Sequence, residues 1–205
     1  MSLSGDAFIL RTLSYSEADL IVHALSKRDG LLHFFVRGAR KSKKRFSGGV
    51  LQPPHLIRFE TNNLKPDQLE SGALISLKEA SLIQDFADIR TNYKNMETMF
   101  SMIKVMLFSE TGHEELFNHY GAALKNISSA KNKKRFFTHF VVRYLYIEGV
   151  LPEQTSFSDF IKTPMGRHLE LEDVSDEQIE KEMGLASHFL KSYSSSKVGV
   201  KWPTS

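Results

Sequence analysis

The 205-residue sequence predicts an α+β chain of two domains: a five-stranded β-barrel over residues 1–80, then an all-α domain over 81–205. Three observations carry this. The first eighty residues break into short β-branched and apolar runs separated by turn residues. From about Asp85 the apolar residues recur at helical spacing. The helical stretches also carry their own start and stop signals.

The strands are predicted in order. Gly5–Leu13 (GDAFILRTL) and Ala18–Leu25 (ADLIVHAL) are the first two, and Asp29-Gly30 after them is a hairpin signal. Leu31–Val36 is the third, with Gly38 marking its end or a bulge. Val50–Glu60 holds a fourth, whose regular pairing starts after Pro53 and Pro54 because proline lacks the N–H a ladder needs. Leu69–Ala80 is the fifth. An open sheet this small leaves bare edges, so a closed or partly closed barrel is expected, an architecture often realised as an OB-fold. Strand count alone leaves the topology open.

In the second domain Ile89, Tyr93, Met96, Met99, Phe100, Ile103 and Met106 fall on one stripe, read as core. Thr111–Glu114 resembles a capping box, with Leu116, Tyr120, Ala123, Leu124 and Ile127 following at helical spacing. Phe136–Ile147 is apolar nearly all round, as the central helix of a bundle is, and Gly149 and Pro152 stop it. Ser175 with Gln178 opens a last helix, and the Ser-rich end is expected to fray.

Composition narrows the function. No run approaches a membrane span, and the N-terminal residues lack the basic and apolar regions of a secretory signal. The absence of cysteine removes disulfides, thiol nucleophiles and a zinc ribbon, and it is compatible with a reducing cytoplasm. Eight histidines are scattered without a metal-ligating spacing, and no phosphate-loop, dinucleotide-binding or nucleophile-elbow motif occurs. Neither an enzyme nor a cofactor is expected. The net charge of +3 is unevenly placed: twelve Lys and Arg face eight Asp and Glu within residues 1–80, and fifteen face sixteen after them. A basic patch on a near-neutral chain points to a polyanionic partner.

Half of those twelve cations lie in one stretch, FFVRGARKSKKRF at 34–46: Arg37, Arg40, Lys41, Lys43, Lys44 and Arg45, with no acid among them. In the preceding strand His33, Phe35 and Arg37 alternate onto one face, opposite Leu32, Phe34 and Val36. A ring beside cations can combine base stacking with phosphate contact. The competing reading is a solvated hairpin loop. A second cluster, Lys131, Lys133, Lys134 and Arg135, opens the apolar helix, where cations oppose the helix dipole. It is a candidate second DNA site or a partner site, against a solvated inter-helix loop. Arg143, a lone cation among aromatics, is either an anchor for a carboxylate or an edge residue reaching water.

Several stretches, in order, resemble the bacterial RecO family: AFILRTLSYSEADLIVHALSKRDGLL with its Tyr15-x-Glu17 turn, RGARKSKKRF at 37–46, LQPPHLIRF at 51–59, then NYKNMETM and RFFTHFVVRYLYIEGVLPE. The resemblance covers most of residues 5–155 and implies an N-terminal OB-fold and a C-terminal helical domain. It further implies a DNA repair and recombination mediator of the bacterial cytoplasm and nucleoid. Such a protein binds single- and double-stranded DNA, anneals complementary strands, and works with RecR, and in some settings RecF, to load RecA onto SSB-coated DNA. Some members bind the C-terminal tail of SSB through the helical domain. Motif by motif, Arg37, Arg40, Lys41, Lys43 and Lys44 correspond to DNA contacts, and Arg143 with the 131–135 cluster correspond to a tail site only by region. The family's four-cysteine zinc site has no counterpart here, which leaves the shape of residues 153–172 open. The rival reading is a protein-interaction adaptor whose barrel makes no direct DNA contact.

Overall fold

A computed structural model describes residues 2–42, 44–46, 49–64, 68–69, 71–109, 114–151 and 157–194. The chain divides into two compact units: Met1–Phe86 with Glu110–Phe117, and Ala87–Ser109 with Asn118–Ser205.

The first unit is a closed barrel of β1 (Ser4–Ser14), β2 (Leu20–Ser26), β3 (Gly30–Val36), β4 (Leu56–Thr61) and β5 (Ile75–Gln84). Its order is β1-β2-β3-β5-β4, with β4 returning to β1 and a parallel β3–β5 contact among antiparallel neighbours. This is the OB-fold arrangement, and it removes every sheet edge. Long β1 serves two partners, and its register shifts between Ile9 and Arg11. Gly30 and Gly38 close the two ends of β3 with positive φ (69° and 66°), a region where only glycine is unstrained.

Strict alternation along β3 sends Leu32, Phe34 and Val36 inward and leaves Leu31, His33 and Phe35 outside. Ala7, Ile9, Val22, Ala24, Ile57, Phe59, Ile75 and Leu77 complete the core, and Phe46, Val50 and Leu51 plug it from the β3–β4 connection. The Phe34 and Phe59 rings meet at 5.1 Å, and Phe34 is fully buried. Phe34→Ala is therefore expected to cost about 3–5 kcal/mol, read as a lower urea midpoint, because a closed barrel collapses poorly around a missing ring.

The fifth strand is displaced from its expected span. Pairing starts at Ile75 and runs to Gln84, because Gly72 (φ 64°) turns the chain before it and β4 offers partners up to Leu56↔Gln84. Exposed Leu82 and Ile83 at its end blur the alternation that marks a strand in sequence.

The second unit holds α1 (Tyr93–Met106), most of α2 (Glu114–Asn126), α3 (Lys133–Ile147), a one-turn α4 (Ser158–Lys162) and α5 (Asp176–Ser194). Asn92, Asn132 and Ser175 start α1, α3 and α5 by accepting backbone N–H bonds of the first turn. The capping box expected at 111–114 lies outside the described residues except for Glu114. Gly149 (φ 71°) ends α3, and the Val150 N–H reaches back to the Leu145 carbonyl at 2.8 Å.

α3 is the central helix, burying Phe136–Val142, Tyr144 and Leu145. Met99, Ile103 and Met106 of the expected stripe are core, as is Met102, but Tyr93 and Phe100 of that stripe are exposed: seven apolar positions span more than the face one helix buries. The Ser109 and Tyr193 hydroxyls both donate to the Glu148 carboxylate, at 2.7 and 2.8 Å, tying the end of α1 to α3 and α5. Over the cysteine-free stretch, Phe157, Phe160, Met165 and Leu171 are buried in α4 and a following 3₁₀ segment. Among the described residues no helix is long and apolar enough to cross a membrane.

Candidate nucleic-acid interface

The outer face of β1–β2–β3 is ordered in cross-strand rows. Leu13 pairs with Ile21 and Ile21 with Phe35; one step along, Arg11 pairs with His23 and His23 with His33. Members of a row stand side by side on one face. The first row is apolar and aromatic, and the second carries one exposed guanidinium and two imidazoles.

The two imidazoles meet edge to face, with Nδ1 atoms 2.9 Å apart. At that distance one nitrogen donates and the other accepts, so the accepting ring is neutral when it forms this bond. Partial burial, then His33 and Arg11, hold His23 down to about 4, and burial lowers His33. At neutral pH His33 offers a flat polar ring and no charge.

Beyond Phe35 the chain enters the basic segment through a tight turn. The Lys41 and Ser42 N–H groups both donate to the Gly38 carbonyl, at 3.2 and 3.1 Å. This turn is sewn to the β1–β2 connection. The Asp19 carboxylate accepts the Gly38 N–H at 2.7 Å, the Arg40 N–H donates to the Ala18 carbonyl at 3.1 Å, and the Arg40 guanidinium donates to the Ser14 hydroxyl. The Gly38 bond, then Ser16, keep Asp19 below the usual carboxylate range, so it holds the turn as a carboxylate. Ser16 in turn accepts the Ala18 and Asp19 N–H groups, fixing the β1–β2 turn.

The segment divides its cations. Arg40 borders a groove of about 440 Å³ with Thr12, Ser42 and Gln52 over apolar Leu20, Phe46 and Leu51. Lys44 and Arg45 border a second groove of about 400 Å³ with Arg58, Glu60 and Glu79, because the Arg45 carbonyl accepts the Ala80 N–H of β5 at 3.2 Å. The Arg45 guanidinium folds back to the Arg37 carbonyl at 3.1 Å and lies 5.2 Å from the centre of the Phe46 ring. Arg37, Arg40, Lys41, Lys44 and Arg45 have no carboxylate within ion-pair distance among the described residues. Lys43 lies outside them.

The second cluster is arranged differently. Lys131 pairs with Glu172 at 3.0 Å, Lys134 with Glu180, and Arg135 with Asp176 at 3.8 Å and the Val174 carbonyl at 3.1 Å. The Lys133 ammonium donates to the Ile127 and Ala130 carbonyls just past α2. The dipole objection raised by the sequence has a structural answer: a cation opening one helix here satisfies the end of the preceding one. Arg143, half-buried, donates to the Ile161 and Thr163 carbonyls at the end of α4. These contacts give all five cations a structural account within the helical unit.

Residues to which the sequence reading assigns no site role are Tyr15, Arg11, His23 and Asp19. Tyr15, 63% exposed, stands edge to face on Phe35 with ring centres 5.4 Å apart. The pairing of Phe35 with β2 is the signal that finds them, and it needs the register. Among the described residues no three His, Asp or Glu groups gather as metal ligands do.

Residues 1–86 match the family model described as Recombination protein O N terminal. The chain is 30% identical over 150 residues to the DNA repair protein RecO of Syntrophus aciditrophicus, covering 72% of this chain and 56% of that protein. It is 28% identical over 158 residues to that of Maridesulfovibrio salexigens (76% and 62% covered) and 29% over 156 to that of Thermodesulfovibrio yellowstonii (75% and 60%). The chain thus spans less than two thirds of the length of these relatives. Barrel topology, motif order and these matches together place a RecO N-terminal domain at residues 1–86, in a chain that is similar to RecO proteins over about three quarters of its length.

Proposed function

We propose that this chain is a non-enzymatic DNA-binding mediator of repair and recombination, acting through the outer face of its barrel. The observation that carries the reading is the placement of Phe35 beside the Gly38 turn. A partly exposed ring on β3 runs directly into cations that have no carboxylate partner among the described residues, on the strand 2–3 face where OB-folds take oligonucleotides. The printed names of the relatives, DNA repair protein RecO, support the same process.

Arg37, Arg40, Lys41, Lys43, Lys44 and Arg45 neutralise backbone phosphates, and His33 and Phe35 offer ring faces to bases. Because the cations border two grooves, one segment can meet phosphates of two strands and lower their repulsion while complementary bases pair. Annealing of this kind consumes no nucleotide. Loading of RecA on SSB-coated DNA together with RecR, with RecF or the SSB tail as further partners, in the cytoplasm and at the nucleoid, extends the reading to the cell. The 131–135 cluster and Arg143 serve in it as ties of the helical unit.

Fluorescence anisotropy of a labelled single strand, titrated with salt, tests the electrostatic core. Six phosphate contacts give a slope of log K against log salt of about −4. An affinity that barely changes between low and moderate salt rejects phosphate contact by this segment.

A further inference from the structure

Tyr15 is an exposed aromatic on the flank of the cationic turn, and burial alone does not explain its position. More than half of its surface faces solvent, so it adds little to the core. Among the described residues its hydroxyl has no hydrogen-bond partner in the protein. Yet the backbone beneath it is pinned: its N–H donates to the Asp19 carbonyl at 3.0 Å, and the Asp19 carboxylate holds the Gly38 N–H. One short turn therefore fixes an exposed ring and the cationic turn in a single frame. The ring stands perpendicular to that of Phe35, whose row continues into Ile21 and Leu13, while Arg37, Arg40 and Lys41 follow Phe35 in the chain.

We propose that Tyr15 and Phe35 form the base-stacking subsite that makes this interface prefer single-stranded over duplex nucleic acid. This deepens the reading above and rests on it. The physical argument is one of access. A phosphate-contacting segment attracts single strands and duplexes alike, since both present phosphates, the duplex at the higher density. A ring face adds affinity only for a base that is unstacked and unpaired, because bases within a duplex already stack on each other. Tyr15 offers such a face with its main chain held in place, so little ordering entropy is lost on binding. The flanking cations are placed to take the phosphates of the same strand. An acidic peptide, the other polymer that a cation-flanked aromatic could take, has no bases to stack.

The test compares Tyr15→Ala, Tyr15→Phe and the unaltered chain on a labelled oligothymidylate, an abasic strand of equal length and a duplex of equal length. Loss of one stacked base corresponds to about a tenfold weaker complex. Tyr15→Ala is expected to bind oligothymidylate about tenfold more weakly and to bind the abasic strand and the duplex within about twofold of the unaltered chain. Tyr15→Phe is expected to restore the oligothymidylate affinity, and Tyr15→Trp to lose fluorescence on adding it. An equal loss on all three probes, or no loss on any, overturns the stacking assignment while leaving the phosphate reading in place. Failure of the unaltered chain to bind any of the three overturns both. Unchanged DNA binding in Tyr15→Ala alongside lost binding of an acidic peptide reassigns the ring to a protein partner and also overturns the proposal.

Discussion

Replacing Arg40, Lys41, Lys43 and Lys44 by alanine is expected to weaken single-strand binding about 10²- to 10³-fold at moderate salt and to abolish annealing, while the barrel stays folded. Each lost phosphate contact removes about 0.7 from the salt slope of a single strand, so the slope should flatten by about 3. The fold should persist because exposed Arg40, Lys41 and Lys44 take no part in the core, which Phe46, Val50 and Leu51 close from the same connection. Arg40 gives up its bond to Ser14, but the Arg40 N–H to Ala18 carbonyl bond that sews the turns together is main chain and survives. Circular dichroism and a urea transition in parallel with the anisotropy separate a binding defect from a folding one. Undiminished affinity in a folded variant would refute the assignment of this segment to DNA.

The second large effect is acid instability of the helical unit. His119 and His139 are buried, each donating from Nε2 to a carbonyl, of Phe140 at 3.1 Å and of Thr163 at 2.6 Å. The opposite ring nitrogens have no partner among the described residues and sit away from water. Burial holds His119 down to about 3 and His139 to about 4, and nearby Arg143 pushes the same way. Both folded values lie below the ordinary 6.5, so the unfolded chain binds more protons throughout that interval. Their contribution is complete above pH ~6.5 and is lost as pH falls towards the folded values. The combined loss near pH 4 is on the order of 5 kcal/mol, comparable to the whole stability of many domains. The helical circular-dichroism signal should therefore melt at steadily lower urea from pH 7 to pH 4. The decline should be shallower when both residues are replaced by glutamine. A urea midpoint independent of pH over that range rules out these two imidazoles as the cause.

The parts of the interface legible in sequence are those whose chemistry is local. The run from Arg37 to Arg45 is visible because its charges are neighbours in the chain, and the outward face of His33, Phe35 and Arg37 follows from alternation alone. Tyr15 escaped because its partner Phe35 is brought to it by strand pairing through Ile21, a register that no local pattern announces. The His23–His33 contact has the same origin. The ion pairs of the 131–135 cluster have the same origin: their acids, Glu172, Asp176 and Glu180, lie far along the chain, so no local pattern announces them.

By itself the sequence determined the two-part fold, because the change from a period of two to a helical period is a property of consecutive residues, as are the turn glycines and the helix caps. It also determined where positive charge gathers. Only the tertiary structure decided the strand order, and with it which cations keep company with carboxylates and which remain available. It likewise decided that a ring from the β1–β2 turn stands on a ring of β3. Closure of the barrel pairs strands whose sequences carry no record of one another, and the function proposed here rests on groups that closure brings together.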